Sequence, residues 1–232
     1  MKYRLACMIF AALAAWADVS AQNVADPKER LKNSVTRMDN GDIMVPFSLD
    51  FPQKVKEIVP GRHHYMYDLW LPYLLYFDQN VKWDEFNAAL PEKDNSWDDR
   101  DVMFEYLKGS VKLNCKLSKK ATPRSLAQSI DKGMPLLVRI EKFNASYEAM
   151  ISRRSRMRER IRSKEQREEL LSTFTFNLSK ARLYGLHHPK VLIGYNPETK
   201  EYCVKMGRTT NIWYTEAEMK KILREVHVVS IP

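Results

Sequence analysis

The sequence predicts an α+β fold in which N-terminal helices pack on a C-terminal antiparallel sheet. Between Tyr65 and Phe77 the apolar residues recur at spacings of one, three and four, which is typical of a buried helix face. From residue 111 onward apolar residues alternate with polar ones or form short runs bounded by turns, which is typical of strands. Helices followed by strands favour α+β over a regularly alternating α/β arrangement.

The first 21 residues predict a cleavable export signal. Lys2 and Arg4 precede an uncharged apolar run over residues 5–16, and the small residues at 19–21 suit signal peptidase. The run is too short to span a membrane, which takes ~20 apolar residues. We therefore expect a mature chain without a transmembrane segment, in the periplasm or outside the cell. A retained N-terminal anchor is the alternative.

The mature chain is expected to hold one domain. Residues 22–45 are polar and predict a flexible leader, which places the folded domain over 46–232. The formal net charge of the whole chain is +9, which favours anionic partners without requiring them.

The helical half of the domain contains a proline where a helix is predicted. Pro72 lacks a backbone donor and its ring clashes with the preceding turn, so we expect a kink or a helix restarted near Leu71. A shorter helix is predicted from Trp83 to Leu90. Residues 91–100 are interpreted as a loop, and residues 102–107 as one or two helical turns.

A strand, a helix and a second strand are predicted next. Residues 111–117 alternate as a half-buried strand does. Thr122 can cap a helix whose first position is Pro123, and Gly133 ends it. The apolar run over 135–140 predicts a buried strand.

The last 42 residues predict a hairpin, a short helix and further strands. Residues 191–195 and 202–204 are expected to pair around the turn at 196–200, and 212–214 is another strand. Thr215 and the glutamate three residues later form a capping box. Residues 226–231 close the chain as a strand.

Residues 144–183 predict a charged helical insertion that projects from the domain as one long helix or a hairpin. It is rich in arginine and has only a thin apolar stripe. Arg side chains can bind an anionic surface, but glutamates at helical spacing also fit a solvated helix face. The arginine run lacks the interleaved aromatic residues of a single-strand binder, which argues against nucleic acid. The candidate anionic surface consists of Arg153, Arg154, Arg156 and Arg158.

Cys115 and Cys203 are the cysteines that remain after the export signal. An oxidising compartment allows them to form a disulfide. Both lie in apolar, strand-like stretches, so two buried free thiols are the alternative.

Several stretches resemble the papain-like cysteine peptidases, in particular the bacterial branch related to bacteriocin-processing leader peptidases (peptidase C-39-like). Residues 129–138 are similar to its helix, Gly-x-Pro and apolar strand. Residues 188–195 resemble its catalytic histidine strand, with a Gly-Tyr pair at 194–195. Residues 196–219 are similar to its C-terminal hairpin and helix start, and 60–88 more weakly to its nucleophile helix. The resemblance implies a papain-like fold with the insertion added.

The resemblance also implies a degenerate active site. The family uses a cysteine thiolate, a histidine base and a side chain that orients the histidine. His188 matches the base, whereas the nucleophile position falls at about Tyr65 and the orienting position at about Met206. A phenol with a pKa near ~10 is a poor nucleophile at neutral pH.

These substitutions predict a pseudopeptidase without a cofactor, which binds a peptide or protein in the former catalytic cleft. An active hydrolase with a displaced nucleophile, such as Cys203, is the first alternative. A binder of anionic surfaces that uses the arginine-rich insertion is the second.

Two histidine pairs, at 63–64 and 187–188, are expected to converge if the fold is papain-like. Imidazoles brought together in this way, from His64 and His188, could ligate zinc or copper. Adjacent residues in an extended chain point in opposite directions, however, and the separated pairs lack the close spacing of zinc ligands. We therefore predict no metal.

Overall fold

The computed structural model describes residues 26–92, 96–161, 163–174 and 177–232, and the predicted export signal lies outside them. The predicted α+β class is confirmed, since helices come first and a mostly antiparallel sheet follows. The described helices are α1 (Pro27–Asn33), α2 (Lys54–Ile58), a π-helical turn (Met66–Trp70), α3 (Leu71–Phe77), α4 (Trp83–Ala89), α5 (Ser96–Ser110), α6 (Pro123–Asp131), α7 (Ala145–Arg160), α8 (Lys164–Thr173), a 3-10 turn (Leu178–Lys180) and α9 (Glu216–Ile222). The described strands are β1 (Thr36–Arg37), β2 (Ile43–Met44), β3 (Asn114–Ser118), β4 (Leu136–Phe143), β5 (Leu183–Leu186), β6 (Lys190–Asn196), β7 (Glu201–Lys205), β8 (Asn211–Thr215) and β9 (Leu223–Ser230).

Every strand pairing described is antiparallel. The main path through the sheet is β1-β2-β6-β4-β9-β3, with β5 paired to β4 and the β7–β8 hairpin attached to β6. Helices α6 and α9 pack on the sheet, and α3 packs on α5 beside it. In the described part of the chain, no helix is long and apolar enough to cross a membrane.

The leader predicted for residues 22–45 is wrong from residue 27 onward, because α1, β1 and β2 belong to the domain. Leu31 of α1 is fully buried, and Arg30 donates a hydrogen bond to the Phe77 carbonyl at 2.7 Å. Gly133 has φ +75°, and a Cβ there would lie 2.0 Å from the Leu31 carbonyl oxygen. The polar composition of this segment does not indicate that α1 packs on the domain, because only one residue of α1 is buried.

Strand β2 attaches the same segment to the centre of the sheet. Ile43 and Met44 pair with Tyr195 and Gly194 of β6. A Cβ on Gly194 would lie 2.8 Å from the Ile43 carbonyl oxygen, a backbone atom that cannot easily move, so glycine is favoured where β2 pairs with β6. This close approach gives the Gly-Tyr pair a structural role.

The disturbance predicted at Pro72 is confirmed. A π-helical turn precedes α3, and the Leu71 N–H donates to the Met66 carbonyl, five residues back. The wider turn avoids the clash that Pro72 would make with the carbonyl four residues earlier. Helix α3 restarts at Leu71, as expected.

The predicted caps of α6 and α9 are confirmed. The Thr122 hydroxyl accepts from the Ser125 N–H, and the Thr215 hydroxyl accepts from the Glu218 N–H. The loop predicted at 91–100 is too long, because α5 begins at Ser96. Strand β3 is also less buried than predicted, because it forms one edge of the sheet and leaves the Leu117 side chain 47% exposed.

The insertion predicted at 144–183 is helical, but α7 packs on the domain instead of projecting from it. Ile151, Arg154 and Arg158 of α7 are buried, and the helix lies against β8. The Ser155 hydroxyl accepts a hydrogen bond from the Trp213 N–H at 2.9 Å. The residues on the buried face include arginines, and arginine is usually exposed, so the sequence predicted a solvated helix.

Candidate functional site

Tyr65 lies in the first turn of the helix that leads into the π-helical turn. The helix begins at His64, and His63 caps it: the Tyr65 N–H donates to His63 Nδ1 at 3.3 Å. The Met66 N–H donates to the His63 carbonyl at 2.9 Å. Tyr65 therefore lies at a helix N-terminus.

His188 lies where the chain passes from β5 to β6. The His187 N–H donates to the Ile140 carbonyl at 2.8 Å and fixes this segment to β4. The His187 ring turns inward, with its Nε2 3.7 Å from the Glu148 carboxylate. His188 instead faces the cleft, so only one histidine of this pair is available there.

Met206 lies in the turn that follows β7. Its backbone N–H donates to the Thr210 carbonyl at 2.9 Å, which holds the turn closed. Gly207 and Arg208 lie in the same turn. The turn thus forms one wall opposite the helix that carries Tyr65.

A cleft of about 410 Å³ contains Tyr65, His188 and Met206 together. The Tyr65 ring centroid lies 4.2 Å from that of His64 and 5.0 Å from that of His188. The described lining residues are Leu49, His64, Tyr65, Asp68, Leu69, His188, Pro189, Lys190, Lys205, Met206, Gly207 and Arg208. Tyr65 and Met206, which are 141 residues apart in the sequence, therefore meet at one site.

The protonation of this site does not favour nucleophilic attack. Burial raises the pKa of Tyr65, so its phenol keeps its proton at neutral pH. Burial and the nearby charges of Lys190 and Lys142 lower the pKa of His188, so its imidazole is neutral there. Among the described residues, no side chain is hydrogen-bonded to His188 to orient its ring. Among the described lining residues, Tyr65 is therefore protonated and His188 neutral at pH 7.

Of the two alternatives left open for the cysteines, the structure has free thiols, with Cys203 buried and Cys115 exposed. Cys203 is buried in β7, where burial raises the pKa of its thiol far above the usual range. Cys115 lies on edge strand β3, with its sulfur 3.7 Å from His227 Nδ1. Burial raises the pKa of the Cys115 thiol to about 11. The sequence did not indicate this Cys–His contact, since the two residues are 112 positions apart.

His64 and His188 both line the cleft, as the convergence of the two pairs predicted. Across the described residues, no group of three or more His, Cys, Asp or Glu side chains is placed to hold a metal ion.

The anionic surface predicted from four arginines is wrong for two of them. Arg154 is buried and paired with Glu218 at 2.5 Å, and Arg158 is buried and paired with Asp42 at 2.8 Å. Arg153 and Arg156 are exposed. Because the arginines at helical spacing turn inward, the exposed charge of α7 is smaller than its composition suggests.

Comparisons with protein-family models, with curated proteins and with solved structures find no match. Function must therefore be argued from the cleft itself.

Proposed function

We propose that this chain is an exported, non-catalytic papain-like module that binds a peptide or protein segment in the cleft. The supporting observation is the meeting of Tyr65, His188 and Met206 around one space of about 410 Å³. The family resemblance alone nominated these three positions. A cleft of this volume is in the range that binds small organic groups and peptide side chains.

The chemistry of the three side chains favours binding over acyl transfer. A nucleophile must lose its proton to attack, and Tyr65 has a raised pKa. Met206 offers only a thioether, a weak acceptor that cannot hold the His188 tautomer. A base without these two partners does not form an acyl-enzyme.

The alternative with a displaced nucleophile finds little support. Cys203 is fully buried in the sheet, and no cysteine is among the described residues that line the cleft. Cys115 lies on β3, at the opposite edge of the sheet path from β1 and separated from β6 by β4 and β9. A high thiol pKa also makes Cys115 a slow nucleophile.

A cleft-filling substitution tests the proposal. Gly207 lines the cleft, and a Cβ built on it meets no atom within 4 Å, so a side chain can be added there without a clash at Cβ, and we expect Gly207→Trp to obstruct the cleft. Gly109 on α5 has the same free space outside the cleft, which makes Gly109→Trp the matched control. Binding of fluorescein-labelled peptides of defined sequence is measured by anisotropy on the two variants and the natural chain.

We expect peptides that bind the natural chain to lose affinity by about tenfold or more with Gly207→Trp, since a filled cleft excludes the ligand. Gly109→Trp should bind as the natural chain does. Equal affinity for both variants would place binding elsewhere, and no binding by any peptide would end the proposal.

A further inference from the structure

The cleft carries an excess of positive charge. Lys190, Lys205 and Arg208 line it, and among the described lining residues Asp68 is the only carboxylate. Asp68 lies 3.9 Å from the Arg208 guanidinium, and its charge also partly offsets the lowering of the Lys190 pKa by burial. One carboxylate therefore faces three cations in the described lining.

A third lysine adds to this field from β4. Lys142 is exposed, and its charge is near enough to lower the pKa of Lys190 together with burial. Within the described part of the chain, neither Lys142, Lys190 nor Lys205 has a carboxylate within salt-bridge distance. Lys190 donates only a long hydrogen bond, of 3.5 Å, to the Met206 carbonyl.

Unpaired cations held close together repel one another, and partial burial of Lys190 adds a desolvation cost. An anion placed between them would offset both effects. This arrangement differs from the buried arginines of α7, each of which has its own carboxylate. The described lining holds one carboxylate for three cations, so the cleft remains complementary to an added negative charge.

Beside the charged residues and the rings of His64, Tyr65 and His188, the lining has an apolar part that selects against a bare ion. Leu49, Leu69, Pro189 and Met206 present carbon and sulfur to the same space. A ligand that fits both parts combines carboxylates with aliphatic side chains, as an acidic peptide segment does. We propose that the cleft takes an acidic peptide segment, with its carboxylates at Lys190 and Lys205 and an apolar side chain against Leu69 and Met206. This inference rests on the proposed peptide-binding function and names its ligand class.

A nucleic acid shares the negative charge but fits the site less well. Single strands bind by stacking bases on free aromatic faces. The Tyr65 ring already packs against His64 and His188, at centroid distances of 4.2 and 5.0 Å. The Tyr65 ring therefore already has aromatic neighbours, and the aliphatic wall at Leu49, Leu69 and Pro189 offers a base no stacking partner.

The test compares charge at fixed shape. Anisotropy is measured with fluorescein-labelled peptides of Glu-Ser-Leu and Gln-Ser-Leu repeats of equal length, and with a single-stranded oligothymidine. The variant is Lys190→Gln with Lys205→Gln. The matched control is Lys119→Gln with Lys120→Gln, which removes the same charge from exposed positions outside the cleft.

We expect the acidic peptide to bind more tightly than the glutamine peptide and to weaken as salt is raised. The cleft variant should lose about tenfold in affinity for the acidic peptide, and the control variant much less. Lys142→Gln, at an exposed position where folding is not at risk, should also weaken it.

Other outcomes distinguish failure of the acidic-ligand inference from failure of the proposed peptide-binding function. If both peptides bind equally and Gly207→Trp still abolishes binding, peptide binding stands and the acidic ligand is wrong. Tighter binding of the oligothymidine than of the acidic peptide would also overturn the inference. If none of the probes binds, the proposed function fails as well.

Discussion

Replacing Arg158 by methionine tests whether the charged insertion is part of the core. The Arg158 side chain is 2% exposed, with Nε 2.7 Å from a Glu201 oxygen and a terminal nitrogen 2.8 Å from Asp42. Its guanidinium carbon lies 3.3 Å from the centre of the Trp213 ring. Methionine keeps much of the length and volume but removes the charge, so two buried carboxylates lose a partner.

The cost falls mainly on one of these carboxylates. Asp42 keeps Arg167 at 2.7 Å and Asn196 at 2.9 Å, whereas among the described residues Glu201 keeps one side-chain hydrogen bond, from the Thr199 hydroxyl. Removing one partner of a buried pair costs about 3–5 kcal/mol, and the retained partners of Asp42 favour the lower end. With the urea dependence usual for small domains, the unfolding midpoint should fall by about 1–2 M.

Urea unfolding followed by tryptophan fluorescence measures the effect. Arg156→Met, two residues away and exposed, is the control and should change the free energy of unfolding by less than about 0.5 kcal/mol. Adding Glu201→Gln to Arg158→Met should restore part of the loss, because it removes the uncompensated charge. If Arg158→Met and Arg156→Met unfold alike, the packing of α7 described above is refuted.

Three further outcomes follow from other parts of the fold. Burial lowers the pKa of His227 from 6.5 to about 4, so the unfolded chain binds a proton more readily. The free energy of unfolding should therefore fall as the pH drops from 6.5 towards 4. In urea titrations at a series of pH values, His227→Gln should make this fall smaller. The same pH dependence in the variant and the natural chain would contradict the prediction. Gly133→Ala adds a Cβ where a carbonyl of α1 approaches to 2.0 Å, so it should lower the thermal midpoint and reduce the free energy of unfolding by more than about 2 kcal/mol. An unchanged midpoint would mean that α1 does not pack on the core at this glycine. Tyr65→Cys would place a thiol at a helix N-terminus beside His188, so at pH 7 iodoacetamide should modify this thiol faster when His188 is present than when it is replaced by alanine. Equal rates with and without His188 would mean that the histidine does not activate a thiol there.

Local sequence signals predicted much of the fold, because the interactions behind them span only a few residues. The Thr122 and Thr215 caps, the break at Pro72 and the hairpin around 196–200 each depend on neighbours within one or two turns. The grouping of the site required the resemblance, since no local pattern brings Tyr65 near a strand more than 100 residues later.

The errors in the prediction come from contacts between distant segments. Arg158 appears solvated from its own helix, but its partner Asp42 is 116 residues earlier in a segment predicted to be flexible. Leu31 is a single apolar residue among polar ones, so the sequence of α1 does not indicate that this helix packs on the domain. The contact is visible at Gly133, whose backbone lies against the Leu31 carbonyl. Glu201 and Glu218, acidic residues next to apolar strands, were the sequence signal that could have predicted buried arginine partners.

Hydrolysis of a peptide library by residues 22–232, with His188→Ala as the control, tests the central claim most directly. The proposed binding module predicts no turnover by either protein, because Tyr65 and Met206 replace the two partners that the base needs. Turnover by the natural chain that is lost with His188→Ala would contradict the claim and show that the cleft holds a working nucleophile.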